Sequence, residues 1–423
     1  MKNYIYSERA DLFEPNIYIE FLVQITGNPS TDQLICAVKK AFLANEATMS
    51  KIVLEKGNAC YERMEESGCK VTVTADDWKT IIRSNEKIPF AIDKGEMMRV
   101  FIISSEEETS LFIMAHHLVG DGKSITYFIE DVMKALSGED LVEKALYLIT
   151  KDSFPPKSAL PFFYKMHANS FNRKWKKTGH EFSWEDYYHT HNVYWKERSS
   201  VIVYEHFSKD MVDQIRAHAK AIGVSMNSFL ATAFLEANRN QHTIGMAVDA
   251  RIDGNRCMSN QATGISVDLT FSDNISFDEN ARRLHRKIYK KLNRPVMKYF
   301  ILQYMPLFIP TLVDSLLVHT YGLYQNKTTQ KLARVLGYTK GKTRDLGITN
   351  LAKLDIPNVY GPYGIRNMLF IPPVVSYARH IIGVATMEDG MTVTYHYMSD
   401  QDDKKEKEFF SNSLSWLLAA VSP

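Results

Sequence analysis

Alternating apolar and polar positions divide the chain into strand-like and helix-like stretches. Residues 17–25, IYIEFLVQI, are rich in branched and aromatic side chains and read as a strand. Ser30 and Gln33 make the S-x-x-Q pattern of a capping box, which opens a helix running to about Asn45. Runs at 97–104 (MMRVFIIS) and 110–115 (SLFIMA) predict two more strands, and the charged SEEET between them predicts an antiparallel hairpin. After Gly122, the spacing of apolar residues in KSITYFIEDVMKAL predicts a helix that stops before Gly138.

The pattern turns irregular from Leu141 to Ser200, where Pro155, Pro156 and Pro161 precede basic and aromatic residues. Such a stretch reads as a crossover, since it is too aromatic for a disordered tether. Beyond it the theme returns. A strand over 201–207 is followed by a helix from Ser208 to Ile222 and a second helix capped by Ser225. TIGMAVDAR and TGISVDLTF then read as strands, and Ser276 with Glu279 makes another capping box, for a basic helix reaching Lys291. GITNLAKL, HIIGVATME and MTVTYHY give late strands, and a helix over about 404–420 closes the chain. A length of 423 residues exceeds one ordinary core, so the expected fold is α/β, an α+β sandwich in two lobes. The expected divisions are 1–165, a crossover at 166–200, and 201–423.

Composition removes some functions. Fifty-one basic against forty-nine acidic side chains leave a formal charge of +2, which gives no reason to expect a nucleic-acid partner. Cys36, Cys60, Cys69 and Cys257 have no metal-like spacing and are expected to be free thiols. The N-terminal MKNYIYSERADLFEPN lacks the apolar run of a secretory signal, so the expected compartment is the cytoplasm. One long apolar stretch, residues 299–324, is interrupted by Gln303, Pro306, Pro310, Asp314 and His319. Those interruptions favour packed helices or a tunnel lining over a membrane span, and the sequence expects no membrane contact.

The candidate chemistry lies in MAHHLVGDGKS, residues 114–124. His116 and His117 end an apolar strand, and Asp121 and Gly122 precede a helix. An imidazole titrates near neutrality and suits the removal of a proton from an alcohol, amine or thiol. Adjacent strand residues point to opposite faces, so the pair is poorly placed to share one metal, and no metal is expected. Asp121 is suited to ordering the loop, and Gly122 to a tight backbone at the start of the helix.

HHLVGDG resembles the HHxxxDG signature of the CoA-dependent acyltransferase superfamily, which includes condensation domains, chloramphenicol acetyltransferases, alcohol acetyltransferases and wax-ester synthases. The resemblance implies two chloramphenicol-acetyltransferase-like lobes forming a V, with an active-site tunnel between them. It implies His117 as the general base, His116 as a packing residue behind it, and Asp121 turned towards an arginine of the other lobe. Arg251, at the end of MAVDAR, is the candidate for that arginine. SNQATGISVDLTF resembles the segment that carries a Gly-Asn pair in acyltransferases, with Ser259 in place of the glycine and Asn260 as site support. ITNLAKLDIP resembles a Ser/Thr-Asn segment beside the tunnel. It makes Thr349 a candidate oxyanion donor and Asn350 a support, the alternative being that both only cap a strand end.

Two departures narrow the resemblance. DFGWG, the mark of plant acyltransferases, is absent, and Val267 stands about where peptide-forming condensation domains carry an Asn. The implied reaction moves an acyl group from acyl-CoA or a phosphopantetheine-linked donor to a small-molecule acceptor, with no bound cofactor. A hydroxyl acceptor is the first reading. N-acylation in natural-product assembly is the second, with an acyl- or peptidyl-carrier protein as partner. A non-catalytic ligand- or carrier-binding relative is the third, and a membrane-surface lipid binder resting on residues 299–324 also stays open. A monomer is expected, because one chain holds both lobes.

Overall fold

The computed structural model describes residues 3–104, 109–240, 242–252, 254–272, 274–338, 344–375 and 378–419. Two six-stranded mixed sheets dominate it, with helices packed against both. The first has the order Val359–Tyr360, Tyr363–Ile371, Tyr18–Thr26, Thr109–His116, Met98–Ser104 and Lys70–Thr74. All its pairings are antiparallel except the last, where Lys70–Thr74 runs parallel to Met98–Ser104. The second has the order Ala262–Asp268, Thr243–Asp249, Arg344–Lys353, Ala378–Thr386, Gly390–Met398 and Ser200–Ser208. Neither sheet closes into a barrel. A small third sheet joins Asn3–Tyr4, Asn58–Arg63 and Ser50–Glu55.

Local signals in the sequence account for many of these elements. Ser30 Oγ accepts from the Gln33 amide at 3.2 Å and Gln33 Oε1 accepts from the Ser30 amide at 2.9 Å, so the capping box forms in full. The hairpin of Met98–Ser104 with Thr109–His116 is antiparallel as expected, although most of its charged turn lies outside the described residues. At Ser276 only half of the expected box forms. Ser276 Oγ accepts from the Glu279 amide at 3.3 Å, while the Glu279 carboxylate pairs with Arg282 and Arg286. Two cations, one and two turns further along the helix, draw it away from the backbone.

Three features depart from the alternation reading. The stretch 141–200 contains two helices, Phe162–Trp175 and Trp184–Trp195, and the second opens with a Ser183–Asp186 capping box. Strand Tyr363–Ile371, late in the chain, pairs with Tyr18–Thr26 and so lies in the first sheet, with Phe370 opposite Phe21. The helices over residues 299–336 pack largely on the first core, where Met305, Phe308, Leu312 and Leu316 are buried. The second sheet has its own core, built around Phe229, Phe234, Val393 and Tyr395.

The sheets meet where the late strand lies. Thr392 and Thr394 in Gly390–Met398 donate hydroxyl hydrogen bonds to the carbonyls of Met368 and Phe370, both at 2.6 Å. A Cβ at Gly383 would sit 2.4 Å from the Phe370 carbonyl, so only glycine permits this approach. Among the described residues no single helix is long and apolar enough to cross a membrane. Phe300–Leu307 with Pro310–Thr320 has the composition for a broken span, but the pair is bent by 103°.

Candidate active site

Strand Thr109–His116 is buried along its whole length and ends at His116, and His117 opens the turn that follows. His116 is fully buried, and its ring lies near those of Tyr18 and Phe90, at centroid distances of 6.3 and 6.1 Å. Its Nδ1 accepts from the Leu118 amide at 3.2 Å, which fixes the ring. Burial first, then the neighbouring His117 and His191, push its pKa down to about 3, so the ring is neutral near pH 7.

His117 is only half-buried. Its amide donates to the Ile17 carbonyl at 3.0 Å, and its own carbonyl accepts from the Gly120 amide at 3.3 Å. Its Nδ1 is buried without a partner among the described residues, which leaves Nε2 as the nitrogen open to solvent. The two adjacent imidazoles therefore differ sharply: one is sealed, the other can reach a reactant.

Asp121 caps the helix Gly122–Leu136, accepting from the Ser124 amide at 2.9 Å. Arg251 grips the same carboxylate with two parallel bonds, Nη1 to Oδ2 at 2.9 Å and Nη2 to Oδ1 at 2.7 Å. The Gln261 amide adds a further bond to Oδ2 at 2.9 Å. With its acceptor sites so filled and both side chains buried, Asp121 holds the structure together and has little left to offer a substrate.

The same helix carries further ties to the second lobe. Ser124 Oγ donates to the Ser259 carbonyl at 2.7 Å, Lys123 pairs with Asp249 at 2.9 Å, and Glu130 pairs with Arg256. Gly122 sits against the bulge in Arg344–Lys353. Ala352 takes a left-handed φ of 60°, its amide donates to Asn350 Oδ1 at 2.7 Å, and Leu351 is turned towards the helix. A Cβ at Gly122 would lie 2.8 Å from Leu351 Cδ2 and 3.2 Å from the Phe370 ring. Close approach thus requires the glycine, and its φ does not lie in the left-handed region.

Asn260 lies on the other side of the motif, where its Nδ2 donates to Asp11 Oδ2 at 2.8 Å. Burial raises the Asp11 carboxyl above the usual carboxylate range, while the charge of nearby His117 and the Asn260 bond pull it down. Glu8 is more deeply buried, and its carboxyl is held well above that range by burial and by Asp11. Between them on the same turn, Arg9 forms a buried two-point ion pair with Asp314, through Nε at 2.6 Å and Nη2 at 2.5 Å. That pair anchors residues 9–11 to helix Pro310–Thr320.

His116, His117, Asp121, Gly122, Arg251 and Asn260 are thus brought into one neighbourhood. From the Thr349–Asn350 segment it is Leu351 that touches the motif, at Gly122; Asn350 accepts from the Ala352 amide, and the Thr349 hydroxyl makes no hydrogen bond among the described residues. Sequence reasoning missed Asp11, Glu8, Ser124 and Gln261. Ser124 was visible as the third residue after the capping Asp121. SERADLF offered no periodic signal, since its acids work through tertiary contacts.

No family model matches the chain. Over 124 residues, 28% of this chain, it is 25% identical to surfactin synthase subunit 1 of Bacillus subtilis (strain 168). Over 131 residues, 29% of this chain, it is 28% identical to the hybrid PKS-NRPS synthetase poxE of Penicillium oxalicum. The chain spans only 3% of the length of each of these curated relatives. Among solved structures, the first condensation domain of the CDA synthetase superposes with a TM-score of 0.67 at 10% identity, covering 100% of this chain and 96% of that one. TRI3 trichothecene 15-O-acetyltransferase from Fusarium sporotrichioides superposes with a TM-score of 0.65 at 12% identity, covering 98% and 95%. The chain therefore carries the mixed α/β fold shared by condensation domains and this acetyltransferase, the fold that the HHLVGDG resemblance implies.

Proposed function

We propose that the chain is an acyltransferase which moves an acyl group from a CoA or pantetheine thioester to a hydroxyl acceptor, with His117 as general base. The observation that carries this reading is the contrast at residues 116 and 117. Only the second imidazole has a nitrogen open to solvent, and the carboxylate next in the motif is committed to Arg251. His117 Nε2 takes the acceptor proton as the oxygen attacks the thioester carbonyl. The tetrahedral oxyanion collapses, the C–S bond breaks, and the thiolate leaving group recovers the proton from the imidazolium. The unengaged Thr349 hydroxyl is the proposed donor to that oxyanion. Asn260 supports the site by holding the Asp11 side chain near His117.

A second reading, N-acylation with a carrier-bound donor, is favoured by the matches to synthetases. The test is thiol release from a panel of acyl-CoAs and acyl-pantetheine thioesters with alcohols or amines, comparing wild type with His117→Ala. Alcohol-dependent release that collapses in the folded mutant supports the first reading, and amine-dependent release the second. Equal rates in both proteins remove His117 as the base.

A further inference from the structure

The molecule's charge is unevenly spread. Residues 151–177 carry seven Lys or Arg against one carboxylate, Asp152, and residues 282–298 carry eight against none, in a chain of formal charge +2. These segments meet in the fold. Helix Pro295–Lys298 packs on the turn Pro156–Ser158, and Gln303 Nε2 donates to the Ser158 carbonyl at 2.8 Å. Helix Phe162–Trp175 lies alongside, joined through His167 Nδ1 and the Tyr304 hydroxyl at 2.6 Å.

That helix buries Ala168, Phe171 and Trp175. Its outward stripe runs Phe162, Met166, Asn169, Arg173 at helical spacing and continues to Lys176, grading from apolar to cationic over about 20 Å. Phe162, Phe163 and Met166 are 72%, 58% and 58% exposed, unusual for large side chains that a single turn of sequence could have turned inward. Beside them a groove of about 500 Å³ is lined by Met166, Asn169, Asn172, Arg173, Lys176 and Ile309. Asn172 sets its floor, donating to the Leu307 carbonyl at 2.8 Å and accepting from the Ile309 amide at 3.0 Å. Among the described residues, Lys157, Lys165, Arg173, Lys174 and Lys176 make no ion pair.

We infer that this face docks on an anionic phospholipid surface, with Phe162, Phe163 and Met166 entering the headgroup region and a lipid phosphate seated between Arg173 and Lys176. Bulky apolar tips flanked by uncompensated cations are the composition of an interfacial contact, and a fluid surface needs no shape complement. The chain lies on the membrane and does not span it. The face is one helix away from the 299–324 stretch, on which the sequence reading rested both a span and a surface lipid binder.

The test is flotation of the whole chain with vesicles of phosphatidylcholine alone or with about a third phosphatidylglycerol. Wild type should float only with the anionic vesicles, and less at high salt. Phe162→Ser/Phe163→Ser/Met166→Ser and Arg173→Glu/Lys176→Glu should each lower partitioning about tenfold or more. All five side chains are exposed, and circular dichroism checks that both variants stay folded. Equal flotation with both lipids, no flotation, or variants that partition like wild type would overturn the proposal. Loss of an acidic carrier protein's binding in the variants, with no vesicle binding by wild type, would assign the face to a protein partner and overturn it equally. None of these readouts needs turnover, so they stand apart from the acyl-transfer reading.

Discussion

On one side of the strand end at residues 116 and 117, the His116 ring is enclosed by Tyr18, Phe90 and the neighbourhood of His191. On the other side, the His117 ring keeps one nitrogen open and sits near the Asp11 carboxylate that Asn260 anchors. The same residue type, one peptide apart, is made inert by desolvation on one face and available on the other. A histidine pair in a sequence is therefore not two copies of one function. The strand ends on the buried ring and the turn begins on the half-buried one, so the core takes one and the site the other.

The sharpest way to break that contrast is to remove each ring in turn. His117→Ala should lower acyl transfer by about a thousandfold while leaving thermal stability near wild type, because general-base catalysis supplies roughly 10²–10⁴ in rate. His116→Ala should do the reverse. It leaves a cavity in a packed wall, so unfolding shifts by a few kcal/mol, roughly 2 to 4, and surviving folded protein retains turnover. Similar rate losses in both variants, at equal stability, would erase the distinction.

Asp121 and Arg251 extend the comparison from rings to charges. Removing either side chain strands the other in a buried site, a loss of about 3 to 5 kcal/mol. Chemical denaturation should show each of Asp121→Ala and Arg251→Ala strongly destabilised. The double variant should cost much less than the two losses added, because neither charge is left alone. Additive losses would mean that the partners act separately.

The sealed face also makes a pH prediction. Burial pushes His116 and His191 down to about 3 and His396 to about 4, whereas an unfolded histidine titrates near 6.5. The folded state disfavours the protonated ring. The stability this implies is complete above about pH 6.5 and is lost as pH falls towards those folded values. Between pH 7 and 5.5, unfolding free energy should drop by about 1 kcal/mol per buried histidine. His116→Gln should remove one histidine's share of that slope. A slope unchanged in this variant would show that protonation at His116 is not coupled to unfolding.

How much of this was legible beforehand depended on the range of each interaction. Ser30 and Gln33, the strand ending at His116, and the helix after Asp121 all follow from neighbours within a few residues, and all appear as read. Arg251 was reached only through the motif resemblance. Nothing in MAVDAR itself specifies a carboxylate at position 121. Tyr363–Ile371 escaped because it ends in an unbroken apolar run, MLFI, that alternation does not flag, and because its partner lies more than 300 residues earlier. The Asp11 site was invisible for the same reason. Its acids become unusual only when the fold buries them, with Asn260 and His117 beside Asp11.

Gly122 supplies the smallest and most discriminating test, because sequence and structure give it different jobs. If glycine is needed for a tight backbone, Gly122→Ala disturbs the helix start whatever surrounds it. Its backbone requires no left-handed φ, however, and the new methyl would meet Leu351 Cδ2 at 2.8 Å and the Phe370 ring at 3.2 Å. The expected cost is that of overpacking, about 1 to 3 kcal/mol in denaturant unfolding. Shortening the obstacle should then relieve it. Gly122→Ala combined with Leu351→Ala should be less destabilised than the two single losses predict, with the coupling visible in a double-mutant cycle. No coupling would return the glycine to a backbone role and leave Leu351 a bystander. Positive coupling would place the fit between the motif helix and the bulge of the second sheet among the features that hold the two lobes in register.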